Sequence, residues 1–501
     1  MQMRHAKFDN IKALLIFLVV FCHFSELFGG VLKYRLYMTI YLFHMPLFVF
    51  VSGYFSKFGL KNTLFKKVYP YIIFQILYCL AAGEQVQLSA PYWLMWYLFS
   101  LIVWSLFLPL FQRFPAVSFA LLLPLCLATG FLPVSYTLSL SHVLCFAVFF
   151  VLGVWTAQHK ERFLALLKTK KARLTAVICA VLALVLTKLM LPFVQTNWLY
   201  YALPYAENGC TPLWRFIFLC IAFLWIFSLI TLVPDKAVPC ITNIGKYSLC
   251  VYLLHGFVRF WLEKAAIFCF SDGLNLLLAL VLSLLTVLLF ANKAVFRILK
   301  PFTDLGLFLP FKEKNGVQRF CSEWTAGCAI ALFFCYILFM AYRVPIFETL
   351  AITVLTFLYH FAMRLAVGGA FLCVPNRFFA LSNIPYRAFP FEKRLQSAIN
   401  IKRVKSKIPT FFPYAFSLSD NEIDEVFASM RRAEFVHILC AILSFVPLFF
   451  SILFGAFYVF LVTSIISAAF DLLFVTVQRY NLPRVMRYME RYALQKEKSV
   501  V

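Results

Sequence analysis

Apolar runs of roughly membrane-spanning length recur along the chain, near residues 11–28, 36–55, 68–82, 93–112, 116–133, 141–157, 173–194, 213–233, 243–263 and 272–292. The rhythm breaks at Lys312-Glu313-Lys314-Asn315. Two further windows, near 325–341 and 346–367, precede a long polar segment from about 375 to 434. Two last windows, 436–454 and 457–477, meet at Gly455 and predict a tight hairpin. The pattern predicts an all-α, polytopic transmembrane helical bundle of about fourteen helices. About ten spans fall in a first block, 1–312, and about four in a second, 325–501, with a linker at 313–324. The polar segment reads as an amphipathic stretch on the cytoplasmic side.

Composition agrees with this pattern. Of 501 residues, 63% are hydrophobic, 19% aromatic and only 13% charged, which no soluble surface accommodates. The net charge of +25 sits in short clusters between apolar runs, as expected for attraction to anionic lipid rather than nucleic acid. Placing the N-terminus in the cytoplasm puts Lys57, Lys61, Lys66, Lys67, the clusters at 159–173 and 293–319, the 375–434 segment and the 479–498 tail on one side. The opposite loops hold mainly Glu84, Glu207 and Asp272, with Lys33 and Arg35 as exceptions. Both termini are therefore expected in the cytoplasm of a multi-pass cell-membrane protein. Arg4 and Lys7 precede the first apolar run, but no small-residue cleavage site follows, so that run reads as an uncleaved span. The fifteen cysteines are scattered through apolar runs without CxxC or zinc-ligand spacing, and imply no disulfide framework or metal.

Candidate chemistry begins in the first span. Lys12 and His23 are eleven residues apart, about three helical turns and 16 Å, so they share a stripe that Asp9 joins. Ionisable groups inside a bilayer cost roughly 2.5–3.5 kcal/mol each, and such a stripe marks either a functional pathway or a charged anchor followed by one core histidine. The window edges put His23, His44 and His255 at similar depth near the middle of a roughly 30 Å core, where they can line one cavity. Imidazole titrates near neutral pH, so a midplane histidine in a wet cavity can deprotonate a sugar hydroxyl for attack on a thioester. Pro46 and Gly53 would loosen the helix around His44 and Ser52. Lys66 and Lys67 are either positive-inside anchors or a cation pair for coenzyme A phosphates. Tyr92 to Tyr97 reads as an interfacial aromatic belt.

Phe8-Asp9-Asn10-Ile11-Lys12 to His23, Phe43–Phe48 with Ser52-Gly53-Tyr54, Trp93–Leu98 and Tyr247–His255 resemble, in order, the segments of the acyltransferase family three of integral membrane proteins, which includes fucose 4-O-acetylase-like members. The resemblance covers roughly residues 4–300. It implies O-acylation of a sugar by cytoplasmic acyl-coenzyme A as co-substrate, with no permanently bound cofactor. It also makes His23 the essential histidine; Asp9, on the same stripe, is the accompanying catalytic candidate. Lys12 stands where many members carry arginine, keeping the charge without the bidentate fork. Lys12, His44, Ser52, Lys66, Lys67 and His255 are the accompanying binding candidates.

In the second block, Glu434 and His437 lie three residues apart on one helical face, an orienting acid and a base. A helix-start acid and an interfacial histidine would look the same. The hairpin brings Gln478-Arg479-Tyr480-Asn481 back beside them. Lys402, Arg403, Lys405 and Lys407 add cations that suit lipid contact. Phe391-Glu392-Lys393, the basic run at 402–409, Arg432-Ala433-Glu434 with His437, and Gln478–Asn481 with Pro483-Arg484 resemble glycosyl-4,4'-diaponeurosporenoate acyltransferases of carotenoid biosynthesis. That resemblance implies transfer of a fatty acyl group to a glycosylated lipid. Glu434 and His437 are the catalytic candidates, and Arg432, Arg479 and Asn481 the binding ones.

Together these readings predict a membrane O-acyltransferase, bifunctional, moving acetyl or fatty acyl groups from acyl-coenzyme A to a glycan or glycolipid. The alternative from another class is a transporter or flippase for a lipid-linked saccharide, since midplane ionisable groups serve both. No inverted repeat or pair of matching broken helices is visible in the sequence, which favours the enzyme.

Overall fold

The computed structural model describes residues 6–133, 136–308, 315–383, 386–405, 408, 410–417, 420–455 and 457–498. Arg4, Lys312, Glu313, Lys314 and Lys407 lie outside the described residues. The structure is 83% helical, with no strand among the described residues. Twelve helical segments are long and apolar enough to cross a bilayer, so the chain is a multi-pass membrane protein.

Two of the fourteen expected windows are missing from those twelve. The window at 116–133 is a shorter helix, Pro115–Phe131, and the one at 243–263 carries Arg259, Glu263 and Lys264 on an amphipathic helix, Ser248–Ala265. The chain forms two compact units, Met1–Leu307 and Phe308–Val501. The expected linker is helical from Gly316 onward, because Asn315 caps the helix that starts there by accepting from the Gln318 amide.

The first unit is built around α1 (Ala6–Ser25). Its first turn is fastened to neighbouring backbone. The Lys7 ammonium donates to the Ile230 carbonyl at 2.8 Å, at the end of a helix where carbonyls lack partners. The Asn10 amide donates to the carbonyls of Pro234 and Lys236 and accepts from the Thr242 hydroxyl. Gly245 lets the short helix Pro239–Lys246 press on α1, since a Cβ there would sit 1.8 Å from the Asp9 carbonyl.

The 36–55 window is not one continuous span. Helix α2 (Val31–Tyr41) and helix α3 (His44–Phe55) meet at a break where Phe43 leaves helical geometry, just ahead of Pro46. Gly53 does not loosen α3 as expected. It allows close contact with α4 (Leu140–Gln158): a Cβ on Gly53 would lie 2.0 Å from the Phe150 carbonyl, and one on Gly153 2.1 Å from the Phe50 carbonyl. Close backbone approach at small residues is the usual means of packing helices in lipid, where dispersion replaces the hydrophobic driving force.

In the second unit, α5 (Gly316–Tyr342) and α6 (Pro345–Leu372) are consecutive long spans. Helix α7 (Ile423–Leu443) and α8 (Phe457–Lys498) form the expected hairpin, turning at Gly455 with φ +68°. Short helical turns between residues 376 and 416 cover one end of that hairpin.

Candidate active sites

A cavity of 390 Å³ opens in the first unit, within the range of small-molecule sites. His23 lines it from α1, His44 from the start of α3, and Trp93, Trp96 and Tyr97 from the segment leading into helix Trp96–Arg113. Glu26, His142 and Arg259 add to its polar lining, with Ser139 and several tyrosines. Placing His44 at the break between α2 and α3 tolerates irregular backbone at membrane depth because it faces a cavity.

His23 Nδ1 lies 2.8 Å from Nε2 of His255. His255 is fully buried, and its Nδ1 lies 2.9 Å from the Val251 carbonyl. A carbonyl only accepts, so for neutral rings the tautomers follow in sequence. His255 Nδ1–H donates to Val251, His255 Nε2 must accept, and His23 Nδ1–H donates to it. His23 is left with an unprotonated Nε2, without a partner among the described residues, on a ring that lines the cavity. A nitrogen in that state can accept a proton.

Trp93 holds this ring in place. Its indole lies 4.5 Å from the His23 ring, and the Arg259 guanidinium sits 4.9 Å from the indole centroid. Trp93 adopts φ +37°, a costly conformation for a bulky residue that clusters at ligand sites. One turn beyond His23, Glu26 accepts from the hydroxyls of Tyr37 and Tyr41 at 3.0 Å each and faces Arg259 at 3.7 Å. His44 donates Nδ1–H to the Ile40 carbonyl at 2.9 Å, and His142 stacks on Trp96 at 4.6 Å.

The second unit assembles a different arrangement. Asp471 of α8 is completely buried. Its Oδ1 lies 2.9 Å from His437 Nδ1 and its Oδ2 is 2.6 Å from Arg364 Nη2. The same guanidinium donates to Ser467 Oγ at 2.8 Å and to the His360 carbonyl. Ser467 Oγ also lies 2.9 Å from His360 Nδ1.

Farther along the hairpin, Arg479 bridges two carboxylates, Glu434 at 2.6 Å and Glu392 at 2.6 Å, and Arg431 binds Glu434 at 2.5 Å. Tyr386 lies 5.0 Å under the Arg479 guanidinium and 5.9 Å from that of Arg431.

Residues 5–292 match the acyltransferase domain family over more than half of the chain. The chain belongs to this acyltransferase family. Residues 375–491 additionally match glycosyl-4,4'-diaponeurosporenoate acyltransferase. No curated protein and no solved structure matches the chain.

Within this acyltransferase the expected residues scatter unevenly. His23 and His44 line one cavity, and His255 sits directly behind His23. Asp9 and Lys12 do not join them: they pair with each other at 2.7 Å, and Asp9 is about 21 Å along α1 from His23. Ser52 binds the Tyr97 hydroxyl at 2.5 Å, behind the lining. Lys66 is exposed, whereas Lys67 donates to the Ser105 hydroxyl; neither lines the cavity.

In the second unit the structure corrects the expected acid. Glu434 is held between Arg431 and Arg479, and Asp471 is the carboxylate on His437. Arg479 is committed to Glu434 and Glu392. Arg432 donates to the Val374 carbonyl at 2.7 Å, and Asn481 accepts from Lys405 at 3.2 Å. All three serve to hold the polar segment on the hairpin.

Four participants escaped sequence reasoning. Glu26 follows His23 by three residues on the same face, and Arg259 follows His255 by four, so helical spacing was the available signal. Asp471 is an acid in the middle of an apolar run, itself a functional marker in a membrane helix. His142 offered the same marker. Trp93, Leu94, Trp96 and Tyr97, from the segment expected at the membrane interface, line the cavity.

Proposed function

We propose that this membrane acyltransferase O-acylates sugar hydroxyls with acyl-coenzyme A, and that its first unit performs one such transfer at His23. The observation that carries this reading is the hydrogen-bonded pair His23–His255, which leaves a basic nitrogen on the cavity wall. His23 Nε2 takes the proton of the acceptor hydroxyl as its oxygen attacks the thioester carbonyl. The C–O bond forms, the C–S bond breaks, and the thiol leaves with the proton. His255 is a positioning residue that fixes the tautomer. The wall of indoles and phenols with Glu26 and Arg259 suits a sugar, whose C–H faces stack on rings while its hydroxyls bond to the charged groups.

The match over 375–491 supports a second transfer on the same chain, to a glycosylated lipid, which makes the protein bifunctional. The basic clusters support a cell-membrane orientation with both termini and the polar segment in the cytoplasm, where acyl-coenzyme A is available.

The test uses the purified full chain in liposomes with labelled acetyl-coenzyme A and a panel of glycolipids and sugars. Label is expected on a hydroxyl of one acceptor, and its loss in His23→Gln with the fold intact. Label transfer at the unaltered rate in His23→Gln overturns the reading.

A further inference from the structure

Helices α6, α7 and α8 bring His360, Arg364, His437, Ser444, Ser467 and Asp471 into one connected polar cluster inside otherwise apolar segments. Buried charges in a bilayer are expensive and are kept where they act. The connectivity here has a direction. Asp471 only accepts: Oδ2 binds the Arg364 guanidinium, and Oδ1 binds His437 Nδ1 at 2.9 Å with Arg364 Nε at 3.4 Å. Arg364 pairs with the carboxylate, and a carboxylate oxygen accepts, so His437 Nδ1 is the donor and the ring is the Nδ1–H tautomer.

Nε2 of His437 has no partner among the described residues, and the side chain is 23% exposed although Asp471 is fully covered. Phe474 stacks on the imidazole at 4.6 Å and sets its plane. An imidazole oriented by a buried acid, with its far nitrogen reachable, is a base poised for a hydroxyl proton.

We infer that the second unit carries its own acyl-transfer centre, with His437 as catalytic base and Asp471 as positioning residue, for a hydroxyl borne by a membrane-embedded glycoside. The inference rests on the acyltransferase reading above and adds the residues that perform its second transfer. The surroundings suit the acceptor class already proposed for this transfer. Asp471 lies about 24 Å along α8 from the turn at Gly455, and the Arg431–Glu434–Arg479–Glu392 layer begins about 12 Å beyond it. On either side of Asp471 in α8, Phe470 is 51% and Leu472 52% exposed. An acceptor meeting this base must present its hydroxyl at the edge of an apolar zone beside a charged layer, as a glycoside with an alkyl tail does.

In the step itself, His437 Nε2 accepts the hydroxyl proton as the acceptor oxygen bonds to the carbonyl carbon of an acyl thioester. The C–S bond breaks, the thiolate takes a proton from the imidazolium, and an ester and a thiol remain. Ser467 and His360 hold Arg364 from the other side and touch neither reactant.

The experiment uses the full chain in liposomes with labelled palmitoyl-coenzyme A and dodecyl glucoside. His437→Gln, whose side-chain amide still donates to Asp471, is expected to lower palmitoyl transfer about 10²–10⁴-fold with an unchanged elution profile and melting temperature. Asp471→Asn lowers kcat with little change in KM for the glucoside, and Asp471→Glu recovers part of the rate, which a purely structural role would not produce. In a His23→Gln background, palmitoyl transfer remains dependent on His437. Palmitoyl transfer at the unaltered rate in His437→Gln, or its absence from wild-type protein that transfers acetyl groups, overturns this centre. The latter result leaves the His23 reading standing. Loss of both transfers in His23→Gln alone places all chemistry in the first unit and likewise overturns it.

Discussion

The two units solve the same problem, fixing the tautomer of a histidine inside a membrane helix bundle, with different acceptors. In the first, the acceptor on His23 Nδ1 is another imidazole, which is itself fixed by the Val251 carbonyl. Every member of that chain is neutral, so no ionic desolvation is incurred. In the second, the acceptor on His437 Nδ1 is the Asp471 carboxylate, which needs Arg364 against it. A carboxylate pulls harder on the imidazole proton, but it brings a buried ion pair that is weak ground for stability and strongly damaging when half is removed. The first unit therefore fixes His23 through a neutral partner, with the Glu26–Arg259 pair elsewhere on the cavity wall, whereas the second ties His437 directly into a buried ion pair.

This contrast is tested from the largest effect downward. His23→Gln removes the base of the first unit and is expected to lower acetyl transfer about 10²–10⁴-fold without a change in melting temperature, measured as label on the glycan. An equal fall in melting temperature would reassign His23 to packing. Glu434→Ala leaves the Arg431 guanidinium without its carboxylate and Arg479 with Glu392 alone, and is expected to destabilise the second unit by about 3 kcal/mol, seen as protease sensitivity between residues 375 and 434. Loss of activity with no such sensitivity would return Glu434 to a catalytic role.

His255→Phe removes the acceptor behind His23 and is expected to reduce acetyl transfer about 10–100-fold, the size of comparable effects from groups that orient a histidine. His255→Gln supplies an acceptor oxygen for His23 and an amide donor for Val251, so it should recover most of that loss. Equal deficits in the two variants would argue that imidazole bulk, not tautomer, is what His255 provides. Asp9→Asn is the smallest change. Lys12 is partly exposed, so loss of the pair costs about 1 kcal/mol or less in a melting experiment, with acetyl transfer unaltered.

Much of this was legible before the fold was known. The bundle follows from the length and spacing of apolar runs, because a bilayer admits only backbone that satisfies its own hydrogen bonds. His23, His44 and His255 could be placed at one depth by counting residues, since helical rise converts number into distance. The Asp9–Lys12–His23 stripe shows where counting misleads. A shared helical face says nothing of which neighbours each residue meets, and the lower part of that stripe is taken up by packing against Gly245 and by the Asp9–Lys12 pair.

The same gap explains Glu434. Local spacing paired it with His437, but the hairpin returns two charged groups, and distance in space selects between them: Arg479 reaches Glu434 and Asp471 reaches His437. The sequence by itself therefore determined the membrane class, most of the helix pattern and the acyltransferase family, and offered both histidines as candidates. Only the tertiary structure decided which carboxylate, ring or carbonyl meets each of them. The physical reason is that helical period and hydropathy are properties of one segment. A hydrogen-bond partner about 30 or 230 residues away is set by how segments pack, and proton direction depends on that partner.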